Sequence, residues 1–429
     1  MDIIALTNYS EFALKAREYA SQFNPCVILD SCGIEPQANK GNYKLVIGFG
    51  GDTLIQPSAN YLDSLYKYWN DSKRWLFGVI GYDIKNEIEN LSSLNSTCFK
   101  WPDLLFFAPD HILTISWNNE LTIYSNQAES LFNTINQFIP TPFALDSFKN
   151  ANELHTDLDP ERHSTIVNAL KEEIKSGNVY EMNLCSRFLF KDIYVANPYN
   201  VFHLLTKVSP SPFSGYFKVD HRYVLCASPE RYLSKQDNTL VSQPIKGTRP
   251  RDGNLQKDEQ LKQDLLNDEK DRAENVMIVD LVRNDLSRVS KTGTVAVKEL
   301  FGIYSYSHVH QMVSTIQSQL DEQYTWKDLL VATFPMGSMT GAPKIAAMKF
   351  IEKFELSARE WYSGALGYID PNGNLDFNVL IRSVFYDSIT QNLAWYAGGA
   401  ITIDSDPEAE YKEMMIKAKA IHSLFHSES

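Results

Sequence analysis

With 429 residues, 44% of them apolar and 22% charged, the chain holds material for about three domain-equivalents and a sizeable core. Its formal net charge of −13 opposes phosphate backbones and anionic lipid, so no nucleic-acid or membrane role is expected and any anionic ligand must be held by local cations. Apolar runs such as 45–49 and 75–80 are far shorter than the roughly 20 residues of a spanning helix.

Met1-Asp2-Ile3-Ile4 lacks the basic start of a signal peptide, and Cys26, Cys32, Cys98, Cys185 and Cys226 form no CxxC pair. A cytoplasmic protein with reduced thiols is the expectation. Up to about residue 145, apolar runs at 26–29, 45–49, 75–80 and 112–117 predict strands joined by polar loops, and 121–137 predicts a helix. Residues 141–160, with Pro142, Asn150, Asn152, Asp157 and Asp159, read as a linker. They separate an N-terminal region, 1–145, from a second, 160–425.

Beyond Pro160, residues 163–175 predict an amphipathic helix closed by Gly177, and 222–233 faces 239–245 across a turn of hairpin composition. One long charged helix is predicted over 261–289, with others over Trp326–Thr333 and over 343–354, the last opening on Pro343. Strands return at 363–369, 377–386 and 393–403, before a helix from Asp406. Strand groups mixed with helix groups predict an α+β fold, a large sandwich of mostly antiparallel sheets flanked by helices.

Several segments could carry chemistry. In Pro244-Ile245-Lys246-Gly247-Thr248-Arg249-Pro250-Arg251 an amine ends a predicted strand, and Gly247 lets a ligand approach the main chain. With its pKa lowered from about 10.4 by burial or a neighbouring cation, that amine would be a nucleophile. Taken alone, Lys246 reads first as an exposed strand-end lysine. Asp271 and Glu274, and again Glu410 and Glu413, stand three apart and so share helix faces. Oxygen ligands from two helices suit Mg²⁺, although a solvated acidic face is the simpler reading of spacing alone. Gly337-Ser338-Met339-Thr340-Gly341-Ala342-Pro343-Lys344 is a small-residue loop opening a helix, either an anion site or a plain helix entry. Gly398 and Gly399 again offer bare backbone, and Arg382 is a charge in an apolar strand that needs an anionic partner.

Together and in this order, segments 244–251, 268–289, 334–348, 363–369 and 397–413 closely resemble the chorismate-utilising family that includes anthranilate synthase and aminodeoxychorismate synthase. The likeness is strong over 160–425 and weaker over 1–140, where Phe77-Gly78-Val79-Ile80-Gly81-Tyr82-Asp83 carries it. Between Pro-Ile and Gly-Thr, anthranilate synthases typically have alanine and aminodeoxychorismate synthases lysine; this chain has Lys246. The resemblance therefore implies amination of chorismate with ammonia to 4-amino-4-deoxychorismate, for p-aminobenzoate and folate.

It implies Lys246 as a covalent nucleophile and Glu230, in Ala227-Ser228-Pro229-Glu230-Arg231, as the acid. Mg²⁺ would be held by Glu274 and Glu413 with Asp271 and Glu410 in support, and the substrate by Tyr362, Arg382 and the stretches Gly247-Thr248, Thr340-Gly341 and Gly398-Gly399. No cysteine sits in a glutaminase nucleophile turn, so a separate glutamine amidotransferase subunit is expected to supply the ammonia. Many relatives have His at Gln311, Gln at Glu181 and Gly at Met336; none of these departures is expected to touch the nucleophile or the metal ligands. The alternatives are anthranilate synthase component I and, from another class, an aromatic-lined carbohydrate- or aromatic-ligand-binding module.

Overall fold

The computed structural model describes residues 3–35, 41, 43–142, 148–149 and 154–425. Its strands form two large sheets, of 12 and 10 strands, and the pairings between strands are antiparallel, as the mixed pattern predicts. Strands from before residue 145 and after residue 160 interleave in both. Cys26–Asp30 pairs with Phe213–Val219 in the larger sheet, and Leu76–Ile80 with Ala365–Ile369 in the smaller. Of the 141–160 linker, 143–147 and 150–153 lie outside the described residues, while Phe148–Lys149 pairs with Tyr194–Val195 in a separate two-stranded sheet and His155–Thr156 with Glu181–Phe190.

Period-two alternation places the core. Val27, Val46, Phe217, Val224 and Phe385 of the larger sheet join one apolar cluster, together with residues of the smaller sheet. Their neighbours Ile28, Ile47, Tyr216, Leu225 and Val384 join another, packed with helices Tyr9–Ser21, Ala128–Gln137, Pro198–Val208 and Pro407–His422. Both faces of this sheet are therefore buried, which is why its strands read as near-continuous apolar runs. No helix among the described residues is long and apolar enough to cross a membrane.

Four expectations are corrected. Residues 121–137 are a strand, Glu120–Tyr124, followed by the helix Ala128–Gln137; β-branched Thr122 and Ile123 and alternating burial favour the pleat. The single helix over 261–289 is two, Leu255–Asn267 and Glu269–Ser287, because Asp268 takes an extended backbone and its side chain accepts from the Asp271 N–H. The stretch 222–233 crosses between sheets, with Arg222–Ser228 in the larger and Arg231–Gln236 in the smaller. The stretch 377–386 does the same between Leu375–Asn378 and Ser383–Asp387, so Arg382 is not in a strand but in a crossing, at φ +49°. The two crossings are tied together: Val379 N–H donates to Glu230 O at 3.1 Å, and Ala227 N–H to Arg382 O at 3.1 Å.

Candidate active site

Lys246 stands on Ile245–Pro250, the edge strand of the smaller sheet, which packs against Leu255–Asn267 and Glu269–Ser287. The residue after it has φ +84°, and a Cβ there would lie 2.9 Å from both Asp271 Cγ and Leu265 Cδ1, so only glycine lets this strand end lie against the acidic helix. The Lys246 side chain is buried, at 8% exposure, rather than a solvated strand end. Its Nζ donates to Glu181 Oε1 at 2.7 Å and lies 4.0 Å from Glu274 Oε2. Burial opposes the ammonium, but the carboxylates of Glu181, Glu274 and Glu230 outweigh it and hold Lys246 above the ordinary lysine value. This reverses the expected lowering, because the neighbours are anions and not cations.

Glu230, in the first crossing, is buried, and its carboxyl is pushed up to about 7 by burial, with the Lys246 charge acting the other way. Glu274 is likewise pushed up to about 7, mainly by burial. Two buried carboxyls pushed up to about 7 thus stand beside one amine held toward its ammonium form, a perturbed cluster that marks a candidate acid–base site.

The second acidic helix, Pro407–His422, meets the first through Lys270. Its ammonium lies 3.0 Å from Glu410 Oε1 and 3.9 Å from Glu274 Oε1. Glu410 also accepts from Ser405 Oγ at 2.7 Å. Asp271 is turned to Arg249 at 3.0 Å, and Glu413 to Lys417 at 2.8 Å. As the chain stands, no group of three or more His, Cys, Asp or Glu among the described residues is gathered to hold a metal ion. Glu274 Oε1, however, is buried without a hydrogen-bond partner among the described residues.

Bare backbone converges on the same place. Strand Glu181–Phe190 carries Gly341-Ala342 on one edge, with Met182 opposite Gly341, and Gly398 and Gly399 on the other, opposite Cys185 and Leu184. A Cβ on Gly399 would lie 3.3 Å from Glu410 Oε2, which puts this strand beside the acidic helix. Thr340 is fully buried and its carbonyl accepts from the Asn183 N–H at 2.9 Å. Thr248 stands opposite Gln311 on the neighbouring strand. Tyr362 stacks on Tyr396 at 4.7 Å, with its hydroxyl 3.4 Å from Cys185 Sγ. Arg382 has no carboxylate partner among the described residues, and burial depresses its pKa; a desolvated guanidinium without a counter-ion favours an anionic ligand.

Three participants escaped the sequence reading. Glu181 does touch the proposed nucleophile, contrary to expectation, and its departure from the relatives' glutamine was the available signal. Lys270 was legible only as an i,i+4 partner of Glu274. Arg359, buried against Glu355, donates to Asn183 O at 2.9 Å and Met339 O at 2.6 Å, and so clamps the Glu181 strand to the Thr340 loop.

The chain matches the family model described as chorismate binding enzyme over residues 31–423. It is 37% identical to anthranilate synthase component 1 of Saccharolobus solfataricus, across 81% of this chain and 80% of the relative. Aminodeoxychorismate synthase component 1 of Bacillus subtilis is 34% identical, across 91% of this chain and 87% of the relative. Among solved structures, anthranilate synthase component I from Streptococcus pneumoniae superposes with a TM-score of 0.77 at 25% identity, covering 90% of this chain and 94% of that one.

Proposed function

The chain belongs to the chorismate binding enzyme family, and on that premise we propose that it aminates chorismate with ammonia to 4-amino-4-deoxychorismate, for p-aminobenzoate and folate. The observation that carries this reading is the buried amine of Lys246, flanked by Glu181, Glu230 and Glu274 where anthranilate synthases typically have alanine.

Chorismate has two carboxylates and, at C4, a hydroxyl that leaves poorly. In the proposed reaction the Lys246 ammonium gives one proton to a carboxylate beside it and its free Nζ bonds to C2; the C1=C2 pair moves to C1–C6, the C5=C6 pair to C4–C5, and the C4–O bond breaks as Glu230 gives its proton to the departing oxygen, releasing water. Ammonia then bonds to C4, both double bonds move back, and the C2–N bond breaks with its electron pair going back to Lys246, which recovers its proton. A carboxyl pushed up to about 7 retains a proton at neutral pH, as an acid in this role requires.

Arg382 supplies a cation for the substrate's carboxylates, and the main chain at Gly247, Thr248, Thr340, Gly341, Gly398 and Gly399, with Tyr362, completes the cradle. Such binding orients the ring, while acid and nucleophile lower the barrier. Mg²⁺ suits the hard oxygen donors: Glu274, whose Oε1 takes no hydrogen bond among the described residues, and Glu413 would hold it, with Glu410 and Asp271 in support. Bound there, the ion would neutralise charge on a substrate carboxylate. A separate glutamine amidotransferase subunit would deliver the ammonia.

The test is incubation with chorismate and Mg²⁺ plus either ammonium or glutamine, with products identified by mass. The expected result is 4-amino-4-deoxychorismate from ammonium and none from glutamine by this chain alone. The 37% identical relative supports a second reading, anthranilate synthase component I. Anthranilate and pyruvate, formed without an added lyase, would transfer the function to it, and unconsumed chorismate would refute both.

A further inference from the structure

Resting on that reading, we propose that Glu181 is a positioning residue for the nucleophile: the reach of its side chain and the acceptor oxygen at its end fix where Lys246 Nζ stands. Lysine is a point donor on a flexible four-carbon stem, so a nitrogen that must attack one carbon needs a fixed partner. Of the three carboxylates acting on Nζ, Glu274 stands at 4.0 Å and Glu230 acts through its charge, whereas Glu181 lies at 2.7 Å. Its exposure is 0%, and its second oxygen, Oε2, has no hydrogen-bond partner among the described residues. The side chain thus spends its one hydrogen bond on Lys246.

The backbone beneath it is held from two sides. Glu181 stands opposite Ala342, and Met182 opposite both Gly341 and Ile401. The approach to Gly341 is so close that a Cβ there would lie 2.0 Å from Glu181 O. Two residues along, the Arg359 clamp grips Asn183 O and Met339 O. One rigid strand end therefore sets the place of the attacking nitrogen and of the loop proposed to hold the substrate's carboxylates. The distance between the two reacting partners is fixed in common, which is the geometric requirement for attack.

Two substitutions separate reach from charge. Glu181→Asp keeps the charge but withdraws the acceptor by one methylene, whereas Glu181→Gln keeps the reach and an acceptor oxygen but removes the charge. With chorismate, Mg²⁺ and ammonium, Glu181→Asp is expected to lower kcat about 100-fold, leaving the KM for chorismate within about threefold. Glu181→Gln rescues kcat to within about tenfold of the parent, as the retained hydrogen-bond geometry requires. If Glu181→Asp matches the parent, if it raises KM with kcat unchanged, or if Glu181→Gln falls as far as Glu181→Asp, the positioning role is overturned. Failure of the parent chain itself to form 4-amino-4-deoxychorismate would count against the proposed function instead.

Discussion

Burying an ionisable carboxyl costs folding free energy wherever it must be charged, and Glu230 carries that cost. Its pKa rises from 4.5 to about 7, so between those values the native state binds more protons than the unfolded chain. Stability accordingly falls as pH rises from 4.5 to about 7 and stays lowered above it. Glu230→Gln removes the penalty and is expected to raise the unfolding free energy at about pH 8 by roughly 2–3 kcal/mol, an advantage that vanishes below about pH 4.5. Denaturant titrations on both sides of that window check the sign, and a variant less stable than the parent at about pH 8 would contradict it. Lys246 was legible because its chemistry lies in a contiguous motif. Glu181 was not, because it reaches the amine from a strand 65 residues away and reads locally as an ordinary strand residue after Tyr180.

Two helices joined by a lysine bridge shape the acidic side of the cleft. Glu269–Ser287 presents Glu274 and Pro407–His422 presents Glu410, with the ammonium of Lys270 between them. The three-residue spacing correctly marked shared faces, but side chains on one face need not have one partner. Asp271 pairs with Arg249 and Glu413 with Lys417, contacts set by neighbouring strand and helix and invisible in the spacing. Glu274→Gln replaces the proposed anionic Mg²⁺ ligand with a neutral amide and is expected to remove Mg²⁺ dependence together with activity. Mg²⁺ titration of the ammonium-dependent rate checks this, and an active, metal-independent variant would refute the ligand assignment. The helix break at Asp268 was missed because charged residues run through it, and only the cap, accepting from the Asp271 N–H, reveals it.

On the scale of the whole molecule, two antiparallel sheets share their strands between early and late parts of the chain. The sandwich itself was legible from apolar runs of strand length mixed with helix patterns. The crossings were not: 228–231 and 378–383 interrupt what reads as continuous strand, and tertiary pairing alone assigns each half to a different sheet. Those crossings, tied together by the Val379–Glu230 and Ala227–Arg382 main-chain hydrogen bonds, place Glu230 and Arg382 between the two sheets. The architecture thus brings Glu230, from the first crossing, to the buried amine of Lys246 on the edge strand. Its chemical premise is tested most directly by Lys246→Ala assayed with chorismate, Mg²⁺ and ammonium, with circular dichroism at the assay temperature confirming that the variant is folded. The account predicts a folded protein that forms little or no 4-amino-4-deoxychorismate; full activity in that folded variant would contradict covalent catalysis by Lys246.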